Sequence, residues 1–225
     1  MAPNAVFPVI DDLQDWGWPD VAAIVIRHAE RLPIPHARDL NHVGLTDSGV
    51  IAAEEMGRQL ARYAGIRILH SPVARCEQTA LALSSGARTA GSTVFEIRSE
   101  RRLGGSYLID RDSALRKADT LGTSFIREWF SGRLEPGLML SLSESLRIHL
   151  DLMKERLGST GLGPRLEVLV THDWNVSVLR EGFLGVRNED VGWPEYLDGV
   201  SFVLRPTGLE ARFRQRISQQ DRPSC

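Results

Sequence analysis

Residues 27–31 (RHAER), 71–75 (SPVAR) and 171–175 (THDWN) each combine side chains that could act together on an anion. Arginine presents a planar fork of donors that matches the oxygens of a phosphoryl group. Imidazoles and carboxyl groups can attack phosphorus or move a proton. An isolated histidine or arginine is usually structural or solvated, but three such segments of compatible charge favour a common site. The residue types therefore predict phosphoryl-group chemistry.

We predict a separate role for each of these side chains. The phosphate-binding residues are expected to be Arg27, Arg31, Arg75 and His172. His28 is expected to attack phosphorus, because a neutral imidazole is nucleophilic near neutral pH. Asp173 is expected to protonate the leaving oxygen. A helix that opens with Ser71 as its N-cap and Pro72 in its first turn would add main-chain N–H donors beside the phosphate.

An apolar run that predicts a strand comes just before each of these segments. The predicted strands cover residues 22–26, 66–69, 94–97, 166–170, 200–204 and 209–213, the last two as a hairpin. Helices are predicted from about residue 46, over 71–83, 112–130 and 141–157, and after 175. Strands that alternate with helices predict a single three-layer α/β/α domain with a mostly parallel sheet. Such sheets bind ligands beyond the carboxyl ends of their strands, where the charged segments lie.

The composition is that of an ordinary folded protein. With 225 residues, 42% hydrophobic and 25% charged, the chain suits one domain with a sizeable core. We expect an N-terminal extension over residues 1–21, the domain over 22–214 and a frayed polar tail over 215–225. The chain has two cysteines, Cys76 in a predicted helix and Cys225 at the last position, and this pair does not predict a disulfide framework.

Charge and hydropathy argue against nucleic acid and membranes as partners of the chain. A net charge of −2 and a pI near 6.3 leave no global basic field for nucleic acid or an anionic membrane. The first residues are acidic rather than basic, and no stretch approaches the roughly 18 apolar residues of a membrane span. We therefore expect a cytoplasmic protein that acts on a small phosphorylated substrate. The sequence does not determine the oligomeric state, and a homo-oligomer is one possibility.

Four motifs resemble those of a known superfamily. RHAERLP (residues 27–33) resembles the RH-x-x-R-x-P signature of the histidine phosphatase superfamily, in its acid phosphatase and phytase branch. THDWN resembles the HD-x-N motif of that branch. LTDSG (45–49) and HSPVARCEQTA (70–80) are similar to segments of the phosphoglycerate mutase-like branch. The resemblance extends over about residues 22–180, nearly the whole domain.

The resemblance implies a phosphoglycerate mutase-like fold and a set of roles. It implies that His28 becomes a phosphohistidine and that Asp173 is the general acid. It also implies that Arg27, Arg31, Arg75 and His172 bind the phosphoryl group, with no metal or organic cofactor. Mutase-like members instead take the acid from a glutamate after the third strand, where this chain offers Glu100 and Asp110 as alternatives. Asp173 is favoured over both because the HD-x-N match is direct.

Three functions are compatible with these motifs. The leading expectation is a phosphomonoester hydrolase that acts on a small metabolite such as a sugar phosphate. A phosphoglycerate mutase-like phosphotransferase is the second, and no further basic cluster for a phospho-acid supports it. A non-catalytic module that binds a phosphorylated ligand is the third. The presence of His28, His172 and Asp173 favours catalysis over binding alone.

Other residues near these motifs carry weaker signals. His36 and His42 are interpreted as residues of the pocket rim, whereas His70 has either a structural or a pocket role. His149 is predicted to be structural, inside a helix. Trp174 is expected to pack in the core, and the loop around Trp193 is either a lid on the pocket or a cap on the sheet.

Overall fold

The computed structural model describes residues 5–34, 40–159, 165–214 and 216–221. Its strands are β1 (Val21–Arg27), β2 (Gly65–His70), β3 (Thr93–Ser99), β4 (Arg165–Thr171), β5 (Gly199–Arg205), β6 (Gly208–Phe213) and β7 (Arg216–Asp221). They form one seven-stranded sheet in the described part of the chain, in the order β3-β2-β4-β1-β5-β6-β7. Strands β1 to β4 run parallel, while β5 and β7 run against them. The predicted mostly parallel sheet is confirmed.

Helices cover both faces of this sheet. They are α1 (Pro8–Asp15), α2 (Asp47–Leu60), α3 (Ala74–Thr89), α4 (Arg111–Leu121), α5 (Phe125–Phe130), α6 (Leu142–Gly158), α7 (Asp173–Leu184) and α8 (Asn188–Val191). One face packs against α1, α2 and α3, and the other against α6 and α7. The predicted three-layer α/β/α domain is therefore confirmed.

The two cores follow from the alternation of side chains along β1. Ala22, Ile24 and Ile26 enter the core on the α1–α3 face, whereas Ala23 and Val25 enter the core beneath α6 and α7. All five are fully buried, as expected of a central strand covered on both faces. This packing fixes the direction in which β1 delivers Arg27 and His28 to the edge of the sheet.

Both termini of the domain differ from the predicted boundaries. The predicted extension over residues 1–21 contains α1, whose Val9 and Leu13 are fully buried in the core. The predicted tail over 215–225 contains β7, which pairs antiparallel with β6. An edge strand needs only backbone partners, so a polar segment can extend a sheet without an apolar pattern.

Two helix predictions also need correction. The helix predicted over 112–130 breaks at Gly122, whose φ of 54° is a left-handed conformation that ends α4. Helix α3 begins at Ala74 rather than at Ser71, and Val73 is its N-cap. Ser71 instead continues the sheet, because its N–H donates to the carbonyl of Val170 at 2.9 Å.

The helix predicted to start at Ser141 opens with the expected capping box. The Ser141 hydroxyl accepts from the N–H of Glu144, whose carboxylate accepts from the N–H of Ser141. Among the described helices, none is both long and apolar enough to cross a membrane.

Candidate active site

The three charged segments meet at one edge of the sheet. Strands β2, β4 and β1 are neighbours, so their carboxyl ends lie side by side. A cavity of about 700 Å³ opens there. Its described wall includes every predicted catalytic and phosphate-binding residue, namely Arg27, His28, Arg31, Arg75, His172 and Asp173. The sequence prediction that these side chains share one pocket is therefore confirmed.

His28 lines the cavity and is held in one tautomer. Its Nδ1–H donates to the carbonyl of Ala29 at 2.8 Å, which leaves the lone pair on Nε2. Its backbone N–H donates to the carbonyl of Thr171 at 2.9 Å, joining β1 to the end of β4. The side chain is 3% exposed. The ring therefore has a fixed tautomer in which Nε2 is the unprotonated nitrogen.

Arg75 links the two site imidazoles. Its Nε–H donates to His28 Nε2 at 2.9 Å, and its Nη2 lies 3.1 Å from His172 Nδ1. Because a guanidinium cannot accept a hydrogen bond, Nδ1 of His172 must accept. The proton of His172 then lies on Nε2 and is donated to Ser71 Oγ at 2.9 Å. The centroids of the two imidazole rings are 5.6 Å apart.

Burial keeps both imidazoles neutral. It lowers the pKa of His28 from 6.5 to about 2, with a smaller effect in the same direction from the nearby His172 and Arg75. It also lowers the pKa of His172 to about 3, and the positive charge of Arg75 adds to the effect. A neutral His28 is the form that can attack an electrophile.

Asp173 stands at the start of α7 and is held by three donors. Its Oδ1 accepts from the backbone N–H of Trp174, and its Oδ2 accepts from Trp193 Nε1 at 3.1 Å. Arg27 Nη2 lies 3.3 Å from the same Oδ2. An anion that binds Arg27 would compete with Asp173 for this guanidinium.

Residues 192–196, which we call the strap, cross behind Arg27 and Asp173. The carbonyl of Pro194 accepts from Arg27 Nη1 at 2.7 Å. The Tyr196 ring lies beneath the same guanidinium, 4.1 Å from its central carbon. With the bond from Trp193, the strap fixes both ends of the Arg27–Asp173 pair. The loop around Trp193 thus contacts the site and is more than a cap on the sheet.

The strap supplies functional contacts that the sequence did not reveal. Tyr196 and the carbonyl of Pro194 belong to no recognised motif, and a backbone carbonyl carries no residue-type signal. The aromatic and proline composition of the loop was the available clue. Leu197, which joins the strap to β5, has a φ of 61°. A strained backbone of this kind is frequent at functional sites.

The cavity is positively charged although the chain is not. Four arginines and two carboxylates line its described wall, the arginines being Arg27, Arg31, Arg75 and Arg111 and the carboxylates Glu77 and Asp173. The Arg31 guanidinium donates only to the carbonyl of its neighbour Leu32 within the described ranges, at 2.9 Å. Such a side chain can turn toward a bound anion at little cost.

The helix N-terminus contributes less than predicted. The N–H of Ala74, the first residue of α3, donates to the carbonyl of Asn41 at 3.1 Å. That donor is therefore already satisfied in the loop beside the pocket. Donors for an anion in this cavity would then come mainly from the arginine side chains.

The two alternative acids do not line the cavity in the described part of the chain. Glu100 binds Arg102 through both carboxylate oxygens, and hydrogen bonds from Arg102 lower its pKa. Asp110 is exposed and caps α4, where the N–H of Ser113 lowers its pKa. A group with a lowered pKa is a poorer proton donor near neutral pH. Asp173, by contrast, lines the cavity together with His28.

The motifs around the site have clear structural reasons. Thr79 Oγ1 accepts from the N–H of Ala29, and Gln78 Oε1 accepts from the N–H of Leu45. Thr46 caps α2 and donates its N–H to the carbonyl of Glu30. A Cβ added at Gly49 would meet that carbonyl oxygen at 2.2 Å. LTDSG and HSPVARCEQTA thus hold the RHAER loop in place.

A buried network supports the end of β4. His149 Nε2 lies 2.7 Å from Asn175 Oδ1, and Asn175 Nδ2 donates to Thr171 Oγ1 at 2.6 Å. Thr171 Oγ1 in turn donates to the carbonyl of Leu103 at 2.7 Å. His149 is 1% exposed, so its predicted structural role is confirmed. The asparagine of THDWN thereby ties the His172–Asp173 turn to the wall that begins at Gly104.

The remaining predicted residues divide between rim, core and undescribed segments. His42 is exposed on the cavity wall, whereas His70 is buried outside it and bonds the carbonyl of Ser71. His36 lies outside the described residues. Trp174 lines the cavity and stacks on Phe125 with centroids 5.0 Å apart, so it packs as predicted.

Cys76 is a buried thiol behind His172. Its Sγ lies 3.8 Å from His172 Nε2, and burial raises the pKa of the thiol to about 12. The side chain therefore stays protonated and acts as a small core residue. Cys225 lies outside the described residues. Within the described ranges, no group of three or more His, Cys, Asp or Glu side chains could hold a metal ion.

Comparisons with known proteins bear on the family and on the fold. Residues 23–105 match the model of the histidine phosphatase superfamily (branch 1). No curated protein shows a significant sequence match to the chain. YhfR of Bacillus stearothermophilus is similar in structure with a TM-score of 0.59 and 16% identity, covering 88% of this chain and 98% of that one.

Two further structures extend the comparison. The mycobacterial glucosyl-3-phosphoglycerate phosphatase has a TM-score of 0.55 and 16% identity, covering 89% of this chain and 96% of that one. The phosphoglycerate mutase of Bacillus anthracis has a TM-score of 0.52 and 14% identity, covering 89% and 92%. At such identities the likeness establishes the fold, which is phosphoglycerate mutase-like as expected.

Proposed function

We propose that this chain, which carries a histidine phosphatase superfamily region over residues 23–105, hydrolyses phosphate monoesters through a phosphohistidine on His28. The observation that carries the proposal is the orientation of His28 Nε2. This nitrogen is unprotonated, belongs to a ring that lines the cavity and accepts a hydrogen bond from Arg75 Nε at 2.9 Å. A phosphoryl group that binds Arg75 would be within reach of the nucleophile.

Binding relies on the arginines of the pocket. A phosphate monoester carries close to two negative charges, which Arg27, Arg31 and Arg75 neutralise through charge-assisted hydrogen bonds. The bound anion also favours the protonated form of His172, whose ring then donates to a phosphoryl oxygen. The guanidinium of Arg27, which pairs with Asp173 in the structure, would then also interact with the phosphate.

The first chemical step forms a bond between His28 Nε2 and phosphorus. The bond between phosphorus and the ester oxygen breaks at the same time, and that oxygen takes a proton from Asp173. In the second step a water oxygen attacks phosphorus and the Nε2–P bond breaks. The water gives its proton to Asp173, so an alcohol and inorganic phosphate leave and the site is restored.

Three measurements test the proposal. Purified protein is incubated with nitrophenyl phosphate, and phosphate release is compared between the wild type and His28→Ala. We expect hydrolysis by the wild type, inhibition by vanadate and loss of nearly all activity in the variant. Brief incubation with a labelled substrate should trap acid-labile, base-stable phosphate on the wild type alone. A wild-type rate unchanged by His28→Ala would rule out the mechanism.

The same assay separates the alternatives. A mutase would return the phosphoryl group to an isomerised phospho-acid without releasing phosphate. A binding module would bind vanadate or phosphate and turn over nothing. Hydrolysis is the proposal because the acid Asp173 and the nucleophile His28 line one cavity with the arginines.

A further inference from the structure

The cavity that contains His28 extends well past the phosphate-binding cluster. Its volume of about 700 Å³ lies within the range of roughly 300–1,000 Å³ typical of pockets that enclose a whole small molecule. The nucleophile, the phosphate-binding arginines and the acid occupy the end formed by the strands. The rest of the space is therefore available for the leaving group of the ester.

That remaining space has a mostly apolar wall. Its side chains come from the loop after RHAER, the start of α3 and the segment that leads into α4. They are Ile34, Leu40, Val73, Leu108, Leu115 and Trp174. Trp174 is braced by Phe125 and Tyr107, so this wall has a rigid aromatic support. None of the five aliphatic side chains can form a hydrogen bond with a hydroxyl group.

The described residues place few polar groups in the interior of this space. Tyr107 is 2% exposed and lines the cavity, and its hydroxyl makes no hydrogen bond with any described residue. His42, Glu77 and Arg111 are exposed and so belong to the rim, where Arg111 donates to Asn41 Oδ1 at 2.8 Å. Among the described residues, a leaving group inside the cavity would thus meet few donors or acceptors besides the phenol of Tyr107 and the amide of the half-buried Asn41.

We propose that the preferred substrate is a phosphate monoester with a bulky, largely apolar leaving group, aromatic or branched aliphatic, rather than a polyol. This inference rests on the proposed phosphatase function and replaces the sugar phosphate suggested by the sequence. Each hydroxyl buried without a partner costs about tenfold in affinity, whereas apolar surface gains affinity when it leaves water. The described wall offers an apolar group contact along its length, whereas a sugar would find few polar partners there.

The test compares esters whose chemistry is matched. Cyclohexylmethyl phosphate and glycerol phosphate esterified at a primary hydroxyl both release a primary alcohol, so a difference in kcat/KM reports on the pocket. We expect kcat/KM for the cyclohexylmethyl ester to be at least about tenfold higher. Equal values, or a preference for glycerol phosphate, would overturn the inference.

Variants on α4 locate the preference in the wall. Leu115→Gln keeps a side chain of similar length and good helix propensity while it makes the wall polar. It should lower the ratio of kcat/KM for the cyclohexylmethyl ester to kcat/KM for glycerol phosphate about five- to tenfold. Asp119→Asn, an exposed change on the same helix, should leave this ratio unchanged. An unchanged ester preference in Leu115→Gln would contradict the assigned wall.

A binding measurement separates this inference from the proposed function. Calorimetry with cyclohexylmethylphosphonate and dihydroxypropylphosphonate reports the preference without turnover. Tighter binding of the cyclohexyl compound with no hydrolysis of any ester would refute the phosphatase function and support the apolar pocket. Hydrolysis with a preference for hydroxylated compounds would support the function and refute the pocket assignment.

Discussion

Gly49→Ala should damage the site from outside the cavity. The added Cβ would stand 2.2 Å from the carbonyl oxygen of Glu30, whereas ordinary contact begins at 3.4 Å. The two groups must therefore separate by about 1.2 Å, and Glu30 lies between His28 and Arg31 in the chain. A displacement of about 1 Å in a catalytic group can cost on the order of 10²-fold in rate. We expect kcat/KM for nitrophenyl phosphate to fall by about that factor.

The same variant should lose some stability without unfolding. Forcing an extra methyl group into a packed site costs about 1–3 kcal/mol, which urea unfolding would measure. Gly158→Ala is the matched control, because it adds the same methyl group at the end of α6 with nothing within 4 Å. A folded Gly49→Ala protein with the wild-type kcat/KM would refute the idea that α2 positions the RHAER loop.

Three further predictions concern the acid, the strap and pH. Asp173→Asn should slow hydrolysis of alkyl esters by about 10²–10⁴-fold and of nitrophenyl phosphate much less, and equal losses for both ester types would argue against a proton-donor role. Trp193→Phe removes the donor to Asp173 Oδ2 and should lower kcat for alkyl esters several-fold with little change in KM; a change confined to KM would show that the strap only shapes the pocket. Burial lowers the pKa of His28 and His172 below 6.5, so between pH 6.5 and 5 the unfolded chain binds protons that the folded chain does not. The free energy of unfolding should therefore fall as the pH drops through this range. The expected fall is up to about 1.4 kcal/mol per pH unit for each histidine. A pH slope as steep in His28→Gln as in the wild type would contradict that assignment.

The part of the site that could be predicted from the sequence consists of charged residues that directly follow predicted strands. The apolar run before Arg27 and His28 and the apolar run before His172 and Asp173 both read as buried strands. Parallel neighbours deliver such residues to the same edge, so the shared pocket follows from sequence pattern and the rules of sheets. The same argument does not reach Tyr196, because the strap approaches from the amino end of an antiparallel strand.

Two other features of the fold, strand β7 and the start of α3, could not be predicted from sequence patterns, for physical reasons. Strand β7 is held by backbone hydrogen bonds to β6, which leave no apolar period in the sequence. The start of α3 is delayed because the N–H of Ser71 pairs with Val170 and the Ser71 hydroxyl binds His172 instead of capping a helix. Local propensity favours Ser71 as a helix N-cap, but its contact with His172 places its hydroxyl elsewhere.

The central place of β1 has a consequence for biosynthesis. Its two neighbours, β4 and β5, are translated long after it, in the second half of the chain. A nascent chain therefore holds the fully apolar AAIVI segment without its sheet partners for much of its time on the ribosome. Contacts so distant in sequence form slowly, and the unpaired strand is a natural target for chaperones during that interval. A chain cut short before β4 would carry His28 yet have no pocket to work in.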